Sequence, residues 1–280
     1  MTISAFEALA CPLDGSALQK KGHNWQCDAG HSFDIARQGY VHLLPVQNKR
    51  SKDPGDNKEM VAARQRFLST GFYQPIAEAL SHAVFPEGFS EPSISCLDAG
   101  CGEGYYMRYL ANSAPQTTTL ALIGLDISKS AVLSAAKQYK KSAWVVGSNA
   151  NLPVLPETLD RILCLFGFPV YAEFARVLRP GGEVVQMDAG PNHLKELREI
   201  IYPELKEPKK AQGTAPDGFT NLGASVVCYN LALPDKAAIK DLLAMTPHLY
   251  RANAEGLARA AELESLNVTV EVTIRRLRKD

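Results

Sequence analysis

Two groups of residues in this 280-residue chain have the types and spacing to do chemistry. The first is Cys11, Asp14, Cys27 and His31, spaced C-x2-D-x12-C-x3-H. Zinc accepts thiolate, carboxylate and imidazole, and this is the layout of a zinc knuckle with one thiolate exchanged for a carboxylate. A plain turn residue ahead of Gly15 is the other reading of Asp14. The second group is Ile94-Ser95-Cys96-Leu97-Asp98-Ala99-Gly100-Cys101-Gly102-Glu103-Gly104, an apolar run that breaks into glycines at alternate positions. It reads as a buried strand, a tight turn and the start of a helix at Tyr105. Such a turn lets a ligand approach the main chain closely and aims free helix N–H groups at it. A second strand, 120–126, ends in the carboxylate of Asp126, where nucleotide-binding folds hold a ribose hydroxyl pair. The spacing G-x-G-x-G is not the G-x-G-x-x-G of dinucleotide binders, so the ligand is nucleotide-like but of another kind.

The elements that must position these groups alternate along the chain. After the glycine turn the patterning predicts a helix at 105–111, the strand 120–126, and a helix at 128–139 with Ser128 as its N-cap. Strands follow at 143–146, 161–165 and 183–187, the last two separated by a helix at 172–178 and the turn Arg179-Pro180-Gly181-Gly182. Strands separated by helices at this period give an α/β fold with a doubly wound parallel sheet. Helices at 58–68 and 74–85 lead into it, another follows at 193–201, and 203–218 reads as loop. The remainder offers strands at 219–231 and 267–276 around helices at 235–244 and 254–263. The division expected is a small module at 1–45, a linker at 46–57 and a large domain at 58–280. A module of that size needs a staple, since its core is too small to hold it. Trp25, Phe33 and Tyr40 are its expected apolar cluster, while Cys96, Cys101, Cys164 and Cys228 read as small buried residues.

The totals set limits. With 30 basic and 30 acidic residues the net charge is zero, so a nucleic-acid partner must be read from local patches such as Lys49, Arg50 and Lys52. Neither a bilayer-length apolar run nor a signal peptide is found, which points to a cytoplasmic protein without a membrane partner.

The glycine turn, with Asp98 two residues ahead of it, resembles the first motif of class I S-adenosylmethionine (SAM) dependent methyltransferases. Further motifs narrow the resemblance: Gly39-Tyr40-Val41-His42-Leu43-Leu44-Pro45-Val46-Gln47, Asp53-Pro54-Gly55-Asp56, Gly71-Phe72-Tyr73-Gln74-Pro75 and Gly190-Pro191-Asn192-His193-Leu194. Together with the knuckle they cover almost the whole chain and resemble the bacterial 23S rRNA (guanine-N1)-methyltransferases of the RlmA type. The resemblance implies a seven-stranded, Rossmann-like class I sheet with a closing antiparallel pair. It implies SAM and one zinc as cofactors, 23S rRNA as partner, and a homodimer whose zinc modules contribute to an RNA cleft. It also implies that Tyr73, Tyr106, Met107 and His193 stand at positions that contact SAM. Gly100, Gly102, Gly104 and Asp126 form the turn and ribose acceptor, and Asp98 fixes the turn or the methionine amine. Ser148 and Asn149 occupy the adenine-edge loop, or are plain turn residues. The chain departs from the family pattern at Asp14, where a thiolate is usual, and at Phe166-Gly167-Phe168-Pro169, where the proline is shifted by one position.

Guanine N1 bears a proton near neutral pH, so methylation there is helped by an acceptor. His193 and Asp188 are candidates by position after the fifth strand, with a cofactor contact the other reading of His193. N1 lies on the pairing edge, so the base must be unpaired and stacked, for which Phe166 and Phe168 are candidates unless they pack in the core. A small-molecule methyltransferase and a non-catalytic RNA-binding protein on a SAM fold are the competing classes.

Overall fold

The computed structural model describes residues 2–48, 51, 53–205 and 214–280, so Lys49, Arg50 and Lys52 lie outside the described residues. The chain opens with β1 (Thr2–Ser4), followed by β2 (Gln19–Lys21), β3 (Asn24–Gln26) and β4 (Ser32–Asp34), and then β5 (Tyr40–His42). α1 (Lys58–Ser69) and α2 (Gln74–Val84) lead into an alternating series: β6 (Ser93–Ala99), α3 (Tyr105–Ser113), β7 (Thr119–Asp126), α4 (Lys129–Gln138), β8 (Ala143–Val146), β9 (Leu159–Leu165), α5 (Tyr171–Val177), β10 (Leu178–Ala189) and α6 (Lys195–Ile201). β11 (Phe219–Leu233), α7 (Lys236–Ala244), α8 (His248–Arg251), α9 (Ala254–Ala261) and β12 (Leu266–Lys279) complete it.

The strands order as β11-β12-β10-β9-β6-β7-β8-β5. β6 pairs parallel to β7 on one side and to β9 on the other, so the strand order reverses there. Open α/β sheets bind ligands in the crevice outside the carboxyl ends of the strands at such a reversal, which here means beside Ala99, Asp126 and Leu165. β12 runs antiparallel between β10 and β11, the closing pair expected of a class I methyltransferase sheet. The interior strands read as near-continuous apolar runs because both faces are covered. Met107, Leu110, Val132, Ala135 and Trp144 pack on one face, and Phe174, Val177 and Leu178 on the other.

Two strands from the 1–45 span belong to this sheet. β1 pairs with Thr119–Ala121 of β7, and β5 pairs with β8 as an edge strand. The segment between them carries its own three-stranded antiparallel sheet, in which Trp25 faces Phe33. Trp25 packs in the cluster that also holds Cys11 and Cys27, whereas Tyr40 is drawn into the other cluster by its place on β5. Cys228 differs from expectation: it lies exposed on β11, while Cys96, Cys101 and Cys164 are buried. α6 begins at Lys195 because the preceding loop is tied to β12, with Leu194 in a left-handed conformation at its N-cap.

Candidate functional site

Cys11, Asp14, Cys27 and His31 converge, with one ligand atom from each lying within 4.8 Å of all the others. His31 Nδ1 is 3.5 Å from Cys11 Sγ, 3.4 Å from Cys27 Sγ and 3.0 Å from Asp14 Oδ2. Tetrahedral zinc with ordinary bond lengths separates sulfur from nitrogen by about 3.6 Å and nitrogen from oxygen by about 3.3 Å. The cluster therefore fits one zinc ion with little adjustment. Asp14 is suited to a single bond to the metal, because Oδ1 already accepts from Ser16 N–H at 2.9 Å and Ser16 Oγ–H at 2.6 Å. Those bonds hold its carboxyl well below the usual range.

At the sheet reversal, the three turn glycines have φ of 102°, 55° and 82° at Gly100, Gly102 and Gly104, a region open to glycine and costly for other residues. Asp126 ties the turn to the next strand: its Oδ2 accepts from Gly102 N–H at 2.9 Å and its Oδ1 from Ser128 N–H at 2.8 Å. Burial pushes the Asp126 carboxyl up, and those two N–H groups pull it back. Asp98, on β6, is buried without a partner for Oδ1, and burial together with the Asp126 carboxylate pushes its pKa up to about 7.

Among the described residues, buried side-chain oxygens without a hydrogen-bond partner include Asp98 Oδ1 and Glu103 Oε1 in and just before this turn and Tyr106 Oη on the helix that follows it, together with Asn149 Oδ1 and Tyr73 Oη, and elsewhere Asn24 Oδ1 and Ser142 Oγ. Burial without a partner is costly, so the group at the turn marks where a polar ligand completes the structure. Asn149 is oriented by Nδ2 donating to Ala99 O at 3.4 Å, while Ser148 Oγ accepts from Ala150 N–H at 3.2 Å, as a turn residue does. Met107, on the helix that follows the turn, is fully buried in the core cluster that also holds Cys101 of the turn.

Asp188 lies near the carboxyl end of β10, rather than after it, and His193 in the loop that follows that strand. The His193 ring lies with its centroid 6.3 Å from Tyr73 and 6.0 Å from Phe166. Its Nδ1 accepts from Glu271 N–H at 3.3 Å, and burial lowers its pKa to about 4. The neutral ring therefore carries its proton on Nε2 and is a donor, with no lone pair left to act as a base. Asp188 is different. Its side chain is 47% exposed, and Oδ2 accepts from Gln186 Nε2 at 2.8 Å, while Gln186 Oε1 accepts from Tyr171 Oη–H at 2.6 Å. Beside it, Phe166 N–H donates to Met187 O at 2.8 Å with Phe166 at φ 53°, a conformation held only where surroundings enforce it. Phe166 is 41% exposed and Phe168 86%, so neither packs in the core.

Arg64 carries no motif of its own in the sequence, and Asp56 stands there only as part of a family motif, yet the two meet beside the turn. Arg64, on α1, donates from Nη1 to Asp56 Oδ2 and from Nη2 to Met245 O at 2.9 Å. The signal that could have found them is Gly55-Asp56, a turn pair placed just ahead of an amphipathic helix.

Residues 9–52 match the zinc-ribbon family described as RlmA, N-terminal, and residues 96–182 match a family described as a methyltransferase domain. Over an alignment of 292 positions, gaps included, the chain is 34% identical to a Micromonospora griseorubida protein whose assigned name is 23S rRNA (guanine-N1)-methyltransferase, covering 96% of this chain and 97% of that protein. The chain belongs to the 23S rRNA (guanine-N1)-methyltransferase family. Two further members of that family are the Bacillus subtilis protein YxjB, 30% identical with 96% of each chain covered, and the 23S rRNA (guanine(748)-N1)-methyltransferase of Streptomyces fradiae, 30% identical with 95% of this chain and 94% of that one covered. The fold of this family member is that of SAM-dependent methyltransferases, and its four-residue cluster is consistent with one zinc.

Proposed function

We propose that this protein transfers a methyl group from SAM to N1 of a guanine in a hairpin loop of 23S rRNA. The observation that carries the reading is similarity to guanine-N1 methyltransferases along the zinc segment and the catalytic sheet alike, over nearly the full length of each chain. Bound SAM supplies an activated methyl group on a sulfonium, with a good leaving group already in place. The protein's part is then alignment and proton management. Gly100, Gly102 and Gly104 let the cofactor lie on the main chain, Asp126 accepts from its ribose, and Asn149 Oδ1 faces the adenine edge. Asp98 meets the methionine amine. Tyr73 and Tyr106 offer their unpartnered hydroxyls, and His193 offers Nε2–H.

The flipped guanine stacks on Phe166 and Phe168 at the open end of β9, and the Asp188 carboxylate, oriented by Gln186, takes the N1 proton. Residues 1–45 serve as the RNA-recognition module and 46–57, with Lys49, Arg50 and Lys52, as a linker that meets phosphates; 58–280 carry catalysis. The protein acts in the cytoplasm. Among the described residues, no helix is long and apolar enough to cross a membrane. It works as a homodimer, a reading supported by β11, whose 15 residues carry no charged side chain and whose Val226 is 62% exposed. Long uncharged edge strands of this kind pair with another chain.

A methyl on N1 blocks base pairing, so reverse transcription of modified rRNA stops one nucleotide short of the target. The stop is expected to vanish in a deletion strain and to return when the purified protein and SAM are added to that strain's rRNA. An unaltered stop pattern, with no methyl transfer to unmodified rRNA, overturns the reading.

A further inference from the structure

We propose that Arg64 anchors the carboxylate of the cofactor's methionine moiety, and that Asp56, from the segment leading out of the N-terminal module, positions it. The inference rests on the SAM reading above. The arginine lies over the glycine turn: a Cβ built on Gly102 would stand 3.7 Å from both Arg64 Cδ and Arg64 Nη1. A guanidinium has five N–H donors in one plane. The bonds to Asp56 and to Met245 O fix that plane and leave donors for a further acceptor.

The charges at the turn favour this assignment. SAM brings a sulfonium, an ammonium and a carboxylate. Asp98 and Asp126 suit its cationic and hydroxyl groups, which leaves the ligand's carboxylate in need of a cation. Arg108 also approaches the turn, near Gly104, but its Nη1 donates to Glu103 O at 2.6 Å and its Nη2 to Glu103 Oε2 at 2.8 Å, so its charge is committed to a buried glutamate. Arg64 is a quarter exposed and keeps donors free.

Asp56 is pinned in place by its neighbours. Gly55 has φ 82°, and a Cβ there would meet Ile127 Cγ2 and Ser128 Cβ at 2.9 Å, so the chain passes over the end of β7 only as glycine. Ser128 Oγ–H then donates to Asp56 O at 2.6 Å. Held this way, Asp56 gives the guanidinium a partner other than Asp126, and Asp126 stays available to the ribose.

S-adenosylhomocysteine and methylthioadenosine share the adenosine and the thioether, and the first of them carries the amino-acid carboxylate. The measured quantity is the ratio of their dissociation constants by calorimetry. Arg64→Gln is expected to lower S-adenosylhomocysteine affinity at least tenfold and leave methylthioadenosine unchanged. Arg64→Lys should recover part of the ratio, and Asp56→Asn should shift it in the same direction by less. Equal proportional loss of both ligands in the Arg64 variants, with wild-type binding intact, means a structural role and overturns the inference alone. An unchanged S-adenosylhomocysteine affinity does the same. Wild-type protein that binds neither ligand overturns the cofactor reading and the inference with it.

Discussion

The backbone N–H of Gly102 donates to Asp126 Oδ2 at 2.9 Å, so the carboxylate that ends β7 also holds the middle of the glycine turn. Removing it leaves Gly102 N–H in the turn and Ser128 N–H at the start of α4 without their acceptor, a loss of about 1–3 kcal/mol. Asp126→Ala is therefore expected to lower the melting temperature without cofactor and to weaken SAM binding at least tenfold. Calorimetric melting and titration of the same preparation separate the two effects. A folded variant with wild-type SAM affinity excludes Asp126 from ribose binding.

Asp98 makes stability and cofactor binding depend on pH. Its folded-state pKa, near 7, lies above that of an unfolded aspartate, so its contribution to stability is full below about pH 4 and is lost as the pH rises toward 7. Asp98→Asn should remove that slope, seen as a melting-temperature difference between the two proteins that changes across this window. A cationic ligand favours the ionised carboxylate, so wild-type SAM affinity should rise with pH up to about 7 and then level, while the Asn variant stays flat. Parallel profiles for the two proteins would show that Asp98 does not titrate in this range.

Zinc retention should follow the fourth ligand. Thiolate holds zinc better than carboxylate in a closed site, so metal per chain after dialysis against a chelator is expected to rank Asp14→Cys above wild type and wild type above Asp14→Ala. The melting temperatures should rank the same way. If none of the three proteins holds zinc after loading, the module is held by packing.

Phe168 is the most accessible of the aromatic rings at the open end of β9, so its loss should cost little stability. Stacking on a base is worth about 1–3 kcal/mol, which places the expected rise in KM for rRNA of Phe168→Ala between roughly 5-fold and 150-fold. SAM affinity should be unchanged. Equal KM values for variant and wild type would remove Phe168 from base recognition.

A charge on an exposed edge strand blocks pairing with another chain. Val226→Lys, in the uncharged stretch of β11, should shift the sedimenting species from dimer to monomer while the circular dichroism spectrum is retained. A wild-type protein that sediments as a monomer at all concentrations refutes the dimer.

Elements with a strong local pattern were readable from the sequence. β8 spans 143–146 as expected, because an apolar run ends there at Gly147, and Ser128 caps α4 by accepting from Ala131 N–H at 3.2 Å. β1 and β5 were not readable. Each has three residues and its pairing partners lie about a hundred residues away, so no local periodicity reports them. The same limit hid Arg64, which meets a turn some forty residues further along the chain. Cys228 misled for a different reason: its apolar neighbours suggest a covered strand, but β11 is an edge whose faces are largely exposed.

The knuckle hangs between two seams in the large sheet, β1 on β7 before it and β5 on β8 after it, with Ala10 N–H also donating to Pro153 O at 3.0 Å. A body stitched at both ends cannot swing about a single hinge. The gap between the metal end and the glycine turn is then a set length, as between the jaws of a caliper. Residues inserted into 46–57 would leave that gap unchanged, since they lie beyond the second seam; unpicking β5 from β8 would open it.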